Sequence, residues 1–96
     1  MMRLTEKEKE VIRHIKITSS NPFTTTTGDS TQGYGVVPLS SVIKSISLHT
    51  KTFDQFNPIK GAIGGVISSL KKKRLVEGQP RSGTIRVIKN ETTMNL

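Results

Sequence analysis

Apolar residues recur at helical spacing in three stretches of this chain and alternate like a strand in a fourth. In the first stretch, Thr5 and Glu8 stand three apart, the spacing of a reciprocal helix cap, so a helix is expected to begin there. Val11, Ile12 and Ile15 repeat on one side. Glu6, Lys7, Glu10 and Arg13 give the other side the mixed charge of a solvated face. This helix is expected to end near Ile17. In the second stretch, Leu39, Val42, Ile43 and Ile46 fall at i, i+3, i+4 and i+7, one helix face. Pro38 suits its first turn, Val36 and Val37 read as a short strand ahead of it, and it fades near Leu48. The third helix starts sharply, with Asn57 as cap and Pro58 as first residue. Ile59, Ile63, Val66, Ile67 and Leu70 form its apolar stripe. Then "LVEGQPRSGTIRVI" reads as strand, turn, strand, with Leu75 and Val76 going out and Ile85 and Val87 alternating on the return.

Two segments lack such a pattern. Residues 18–35 hold nine Ser or Thr, three Gly and one Pro, and no helical period survives in them. "FTTTT" and "YGVV" around the turn-rich "GDSTQG" leave a hairpin and a polar loop both open. Residues 90–96, "NETTMNL", read as a flexible polar tail. The 96 residues amount to a single domain of α+β class.

Charge changes the picture more than composition does. The formal net charge is +8, and it is lopsided. Residues 1–50 carry six bases and four acids, whereas residues 51–96 carry nine and three. Such a basic half points to a polyanion, with nucleic acid first. No cysteine is present, which excludes disulfide and thiol chemistry. No apolar run has membrane-span length, so no membrane partner is expected. The opening "MMRLTEKEKE" has no hydrophobic signal-peptide stretch. A cytoplasmic setting, in a bacterial cell or a phage-infected host, is the expectation.

The order helix, short strand, helix, helix, two-stranded hairpin, with "VISSLKKKRLVEGQPRSGTIRVI" as its most specific part, resembles the winged helix-turn-helix superfamily of small bacterial and phage transcription regulators. The resemblance covers about residues 4–17 and 34–89. It implies a three-helix winged helix with a C-terminal two-stranded wing and a polar insertion between helices 1 and 2. Two features depart from the family. Arg74 stands where the turn after the third helix usually takes glycine, so an altered turn or a longer helix is expected. The connector from Leu48 to Phe56 is longer than the motif's compact turn.

The resemblance implies that the third helix enters the DNA major groove. Its outward side has an unusual makeup. Gly61, Gly65, Ser68 and Lys72 lie opposite the apolar stripe, and Lys60, Gly64 and Lys71 run along one flank. Each glycine weakens the helix by about 1 kcal/mol relative to alanine. Their use would be close approach, either of a partner or of another part of this protein; the alternative is a weak helix held by tertiary contacts. Asn57, Lys60, Ser68, Lys71 and Lys72 are the candidate DNA contacts on the helix. Arg81 at the wing tip, with Arg86 and Lys89 beside it, are the candidates on the wing. Lys73 and Arg74 read as charges complementing the helix dipole. No arginine is placed to pair guanine, so phosphate and shape contacts are expected to dominate. About six phosphate contacts would weaken binding on the order of a thousandfold between 50 and 200 mM salt.

Other chemistry finds little support. His14 and His49 fall on separate elements without cysteine or paired carboxylates, so no metal is expected. "GDS" at Gly28–Ser30 lacks the companions of a catalytic triad, and no phosphate-loop pattern occurs. Neither enzyme activity nor a cofactor is expected. A second reading is a protein-interaction module of the same fold, for example a phage protein acting on host machinery. It would use the bare helix face with Phe53 and Phe56, residues that equally suit a small core. RNA is a weaker third, for lack of stacking aromatics. Monomer and homodimer both stay open.

Overall fold

The computed structural model describes residues 3–21, 23, 25, 28, 31–49, 59–79 and 83–96. The elements are α1 (Glu6–Ser19), β1 (Val37–Pro38), α2 (Leu39–His49), α3 (Ile59–Lys72), β2 (Val76–Gln79), β3 (Thr84–Val87) and α4 (Glu91–Met94). The class is α+β, with an antiparallel sheet of order β1-β3-β2.

The capping box at the start of α1 forms. The Glu8 amide donates to Thr5 Oγ1 at 3.2 Å, and the Thr5 amide donates to Glu8 Oε1 at 3.0 Å. The helix runs two residues beyond Ile17 because its last polar side chains bond back onto it. Thr18 Oγ1 donates to the His14 carbonyl and Ser19 Oγ to that of Lys16, both at 2.7 Å. Pro38, expected in the first turn of a helix, instead lies in β1 opposite Thr84. Edge position explains the tolerance, since a proline there forfeits no ladder hydrogen bond. The helix α2 starts one residue later, and the Leu39 amide donates to the Gly83 carbonyl at 2.8 Å.

The hairpin pairs Val76 with Val87, Glu77 with Arg86, Gly78 with Ile85 and Gln79 with Thr84. Gly83, where the chain re-enters β3, has φ +62°, which glycine adopts without strain. Beyond β3, Gly33 bridges Ile88, and Tyr34 and Lys89 donate backbone bonds to Val87 and Gln32 at 2.9 Å each. The end of the 18–35 segment therefore continues the sheet. Of that segment, only residues 18–21, 23, 25, 28 and 31–35 are described.

Packing follows the apolar pattern. Val11, Ile12 and Ile15 of α1, Val42 and Ile46 of α2, and Ile63, Ile67 and Leu70 of α3 are buried against Val37, Leu75, Val76, Ile85 and Val87. The helix α1 touches α2, α3 and β3, so it holds the others in place. Burying each such aliphatic side chain contributes about 1.5–3 kcal/mol.

Two further expectations need correction. Arg74 neither lengthens α3 nor alters the turn. It takes the left-handed conformation itself, at φ 59°. The Arg74 amide donates to the Lys71 carbonyl and the Leu75 amide to that of Leu70, both at 3.0 Å, the bond pair of a Schellman turn. Leu70 and Leu75 are both buried, giving the turn its hydrophobic contact. Residues 90–96, expected to be a polar tail, instead hold the short helix α4. Asn90 caps it reciprocally with Thr93, whose hydroxyl also donates to the Ile88 carbonyl at 2.6 Å. Thr93 is fully buried, so this end of the chain is docked through a satisfied polar group.

Candidate nucleic-acid interface

The outward side of α3 is open. Gly61, Gly64, Gly65, Ser68, Lys71 and Lys72 are all exposed, while Ile63, Ile67 and Leu70 point into the core. Among the described residues, a Cβ added at Gly64 or Gly65 meets nothing within 4 Å. These two glycines therefore do not make room for a packed neighbour among the described residues. A shallow groove of about 360 Å³ runs beside them, between α3 and the start of α1, with Thr5, Lys7, Gly65, Val66 and Ser69 on its walls.

The four consecutive bases after Leu70 have separate fates. Lys71 reaches onto the hairpin: a Cβ at Gly78 would come within 2.8 Å of its Cε and Nζ. With glycine at 78, that side chain lies across β2. Lys72 and Arg74 are exposed. Lys73 turns the other way and closes on Glu8. Its ammonium donates to Glu8 Oε1 at 2.9 Å and Oε2 at 2.7 Å, and Ser69 Oγ adds a bond to Oε2 at 3.2 Å. Burial alone would raise the Glu8 carboxyl. The bond from Lys73, the Thr5 amide, the Lys73 charge and Ser69 together outweigh burial and hold it below its ordinary value. This carboxylate, only 4% exposed, ties the start of α1 to the end of α3.

The candidates on and beside the hairpin divide similarly. Arg86 Nε donates to Glu77 Oε2 at 2.6 Å, a cross-strand ion pair that partly spends its charge. Lys89 does not stand beside it. At the odd spacing of three its side chain falls on the opposite side of the strand, and its Nζ lies 5.2 Å from the Tyr34 ring centre. Lys16 approaches the same ring at 5.1 Å and donates to the Thr93 carbonyl at 3.0 Å. Thus Ser68, Lys71 and Lys72 share one surface, with Arg86 ion-paired on the hairpin and Lys89 turned toward α1. Asn57, Arg81 and the side chain of Lys60 lie outside the described residues, as do Phe53 and Phe56.

The sequence puts Arg74 at the turn and among the dipole charges, without its left-handed conformation. That conformation is carried by the run Leu70, three lysines, arginine, Leu75: the residue just before the second buried leucine takes the left-handed turn. The partner of Lys73 had no such signal, because Glu8 lies 65 positions away.

The histidines, which the sequence placed apart, meet where α1 crosses α2. Their ring centres are 6.4 Å apart. His14 Nδ1 lies 3.0 Å from Ser45 Oγ, and its Nε2 lies 3.6 Å from Glu10 Oε2. Burial lowers the His14 pKa, the Glu10 carboxylate pulls it up, and His49 lowers it; the net direction is down. Among the described residues, no three His, Cys, Asp or Glu cluster as metal ligands, and no helix is long and apolar enough to cross a membrane. No family model, curated protein or solved structure matches the chain, so its function is argued from geometry and charge.

Proposed function

We propose that this protein is a winged-helix DNA-binding protein of the transcription-regulator type, which lays the outward side of α3 against duplex DNA. The reading is supported by the order of its elements and, above all, by one observation. The exposed side of α3 is stripped of side chains at Gly61, Gly64 and Gly65 and cationic at Lys71, Lys72 and Arg74. A backbone that can approach closely, beside exposed bases, suits phosphate and groove-shape contacts. It does not suit rich base readout, for which Ser68 is the one exposed polar side chain between the glycines and the lysines. Lys71, lying across Gly78, links the helix to the hairpin, so both meet the DNA backbone as one surface.

Arg74 adds to this reading. A non-glycine residue in the left-handed region costs about 1–2 kcal/mol. An exposed arginine held there, where glycine would fold more easily, is explained by what its guanidinium contacts outside the chain. An electrophoretic shift on random-sequence duplex at low salt tests the proposal. Binding by the protein, with marked weakening in Lys72→Glu, supports it. Absence of any shift at low salt removes it.

A further inference from the structure

Among the described residues, the exposed large apolar side chains are Ile17 at 61%, Leu48 at 69%, Phe23 at 95% and Met94 at 61%, none of them on α3. Ile17 and Leu48 face one groove of about 550 Å³ where the end of α1 runs beside the end of α2. Its walls are otherwise polar: Asn21, Ser41 and Ser45, with Lys44 and His49 along the α2 side. Phe23 stands two residues beyond Asn21, in a turn tied down by hydrogen bonds. Asn21 Oδ1 accepts from the Phe23 amide at 2.9 Å, and Thr25 Oγ1 donates to the Ser19 carbonyl at 2.6 Å. Apolar side chains presented together to solvent from ordered positions mark an interaction surface.

The charge around the groove selects the occupant. Among the described residues no carboxylate lines it, whereas the Lys44 ammonium does. The described acids of α1 are already paired: Glu6 with Lys9, Glu8 with Lys73, and Glu10 with Arg13 and, at 3.6 Å, His14. A second copy of this chain would bring another +8 charges to a surface that already lacks acids, and would be repelled. The space between two helices, with apolar side chains on its floor and rim, fits a third helix laid in the groove.

We propose that the α1–α2 groove seats an acidic amphipathic helix of a partner protein, its apolar face on Ile17 and Leu48 and its carboxylates toward Lys44. This surface is formed by different elements from the α3 face, so the protein can hold DNA and a partner at once. The two readings stand or fall separately.

The test uses the full chain and two synthetic helical peptides. Both carry leucines at i, i+3 and i+7. One has glutamates and the other lysines at the flanking positions. Backbone NMR shifts locate binding, and fluorescence anisotropy measures it. The acidic peptide is expected to bind and to shift Ile17, Lys44, Leu48 and His49, and the basic peptide to leave them unmoved. Leu48→Glu is expected to weaken binding at least about tenfold, as loss of a central apolar anchor does. Leu48 is exposed, so this variant is expected to keep the wild-type fold and its affinity for random duplex. Three results would overturn the proposal. One is no binding of the acidic peptide at millimolar concentration. Another is binding that ignores Leu48→Glu but is lost in Lys72→Glu, which puts the peptide on the cationic face of α3. The third is a concentration-dependent dimer that Leu48→Glu dissociates, which makes a second copy the occupant.

Discussion

The two sides of α3's last turns carry the same kind of charge and use it differently. On the inner side, Lys73 is drawn down onto Glu8, where Thr5 and Ser69 complete the carboxylate's hydrogen bonds. On the outer side, Lys72 and Arg74 stand exposed beside two glycines with open space above them. Four adjacent bases thus divide between holding the fold and facing outward. A helix turns about 100° per residue, so a run of four cannot share one direction. What separates structural from available charge here is the buried carboxylate, not the bases themselves.

Substitution on each side should separate the two roles. The largest effect is expected from Glu8→Ala, which removes a helix cap and strands the half-buried Lys73. A cap is worth about 1 kcal/mol. Breaking a fully buried pair costs about 3–5 kcal/mol, and the partial exposure of Lys73 reduces that share. A loss of about 2–3 kcal/mol in urea unfolding is expected, with DNA affinity of the folded protein unchanged. An equal loss of affinity would show that the inner pair belongs to the interface.

Gly64→Ala with Gly65→Ala should act in the opposite sense. With open space at both positions, the helix gains its propensity, about 1 kcal/mol per site. Thermal unfolding should shift upward while DNA affinity falls, because two methyl groups now stand off the backbone. Improved stability with unaltered affinity would mean that close approach of α3 plays no part. Arg74→Gly is expected to gain about 1 kcal/mol by relieving the left-handed residue. Its salt dependence of binding should flatten by about one counterion.

The smallest effect concerns pH. His14 has a lowered pKa in the folded protein, so the unfolded chain binds the proton more readily. Stability should therefore decline as pH falls through about 6.5, the ordinary histidine value. His14→Gln should remove that slope. Glu8, also lowered, contributes stability above the ordinary glutamate value of about 4.3 that is lost in stronger acid. The second slope should survive His14→Gln and vanish in Glu8→Gln.

Much of the frame was legible in the chain. The Thr5–Glu8 spacing placed the first cap, and periodicity placed Val42, Ile46, Ile63 and Leu70 in the core. The glycines of α3 could be assigned outward because an apolar stripe fixes the rotation of a helix. Three things escaped for definable reasons. Arg74 was read by propensity, which disfavours arginine in a left-handed turn, whereas the tertiary contact of Leu70 with Leu75 imposed that turn. The short helix α4 carries too few apolar residues to show a period, and one buried threonine anchors it. The pairing of Lys73 with Glu8, and of Arg86 with Glu77, depends on how elements dock, which no local pattern encodes. Docking also revises the electrostatics: of the six bases expected on phosphate, Arg86 is ion-paired with Glu77 and Lys89 is turned toward Tyr34.

That revision makes the salt dependence of DNA binding the most direct test. Anisotropy of a labelled random duplex, titrated between 50 and 200 mM salt, reads the number of phosphates neutralised. About four contacts should weaken wild-type binding on the order of a hundredfold across this range, and Lys71→Ala with Lys72→Ala should lower the slope by about two counterions. No binding at 50 mM salt, or a slope that the two substitutions leave intact, would contradict the assignment of the α3 face to DNA.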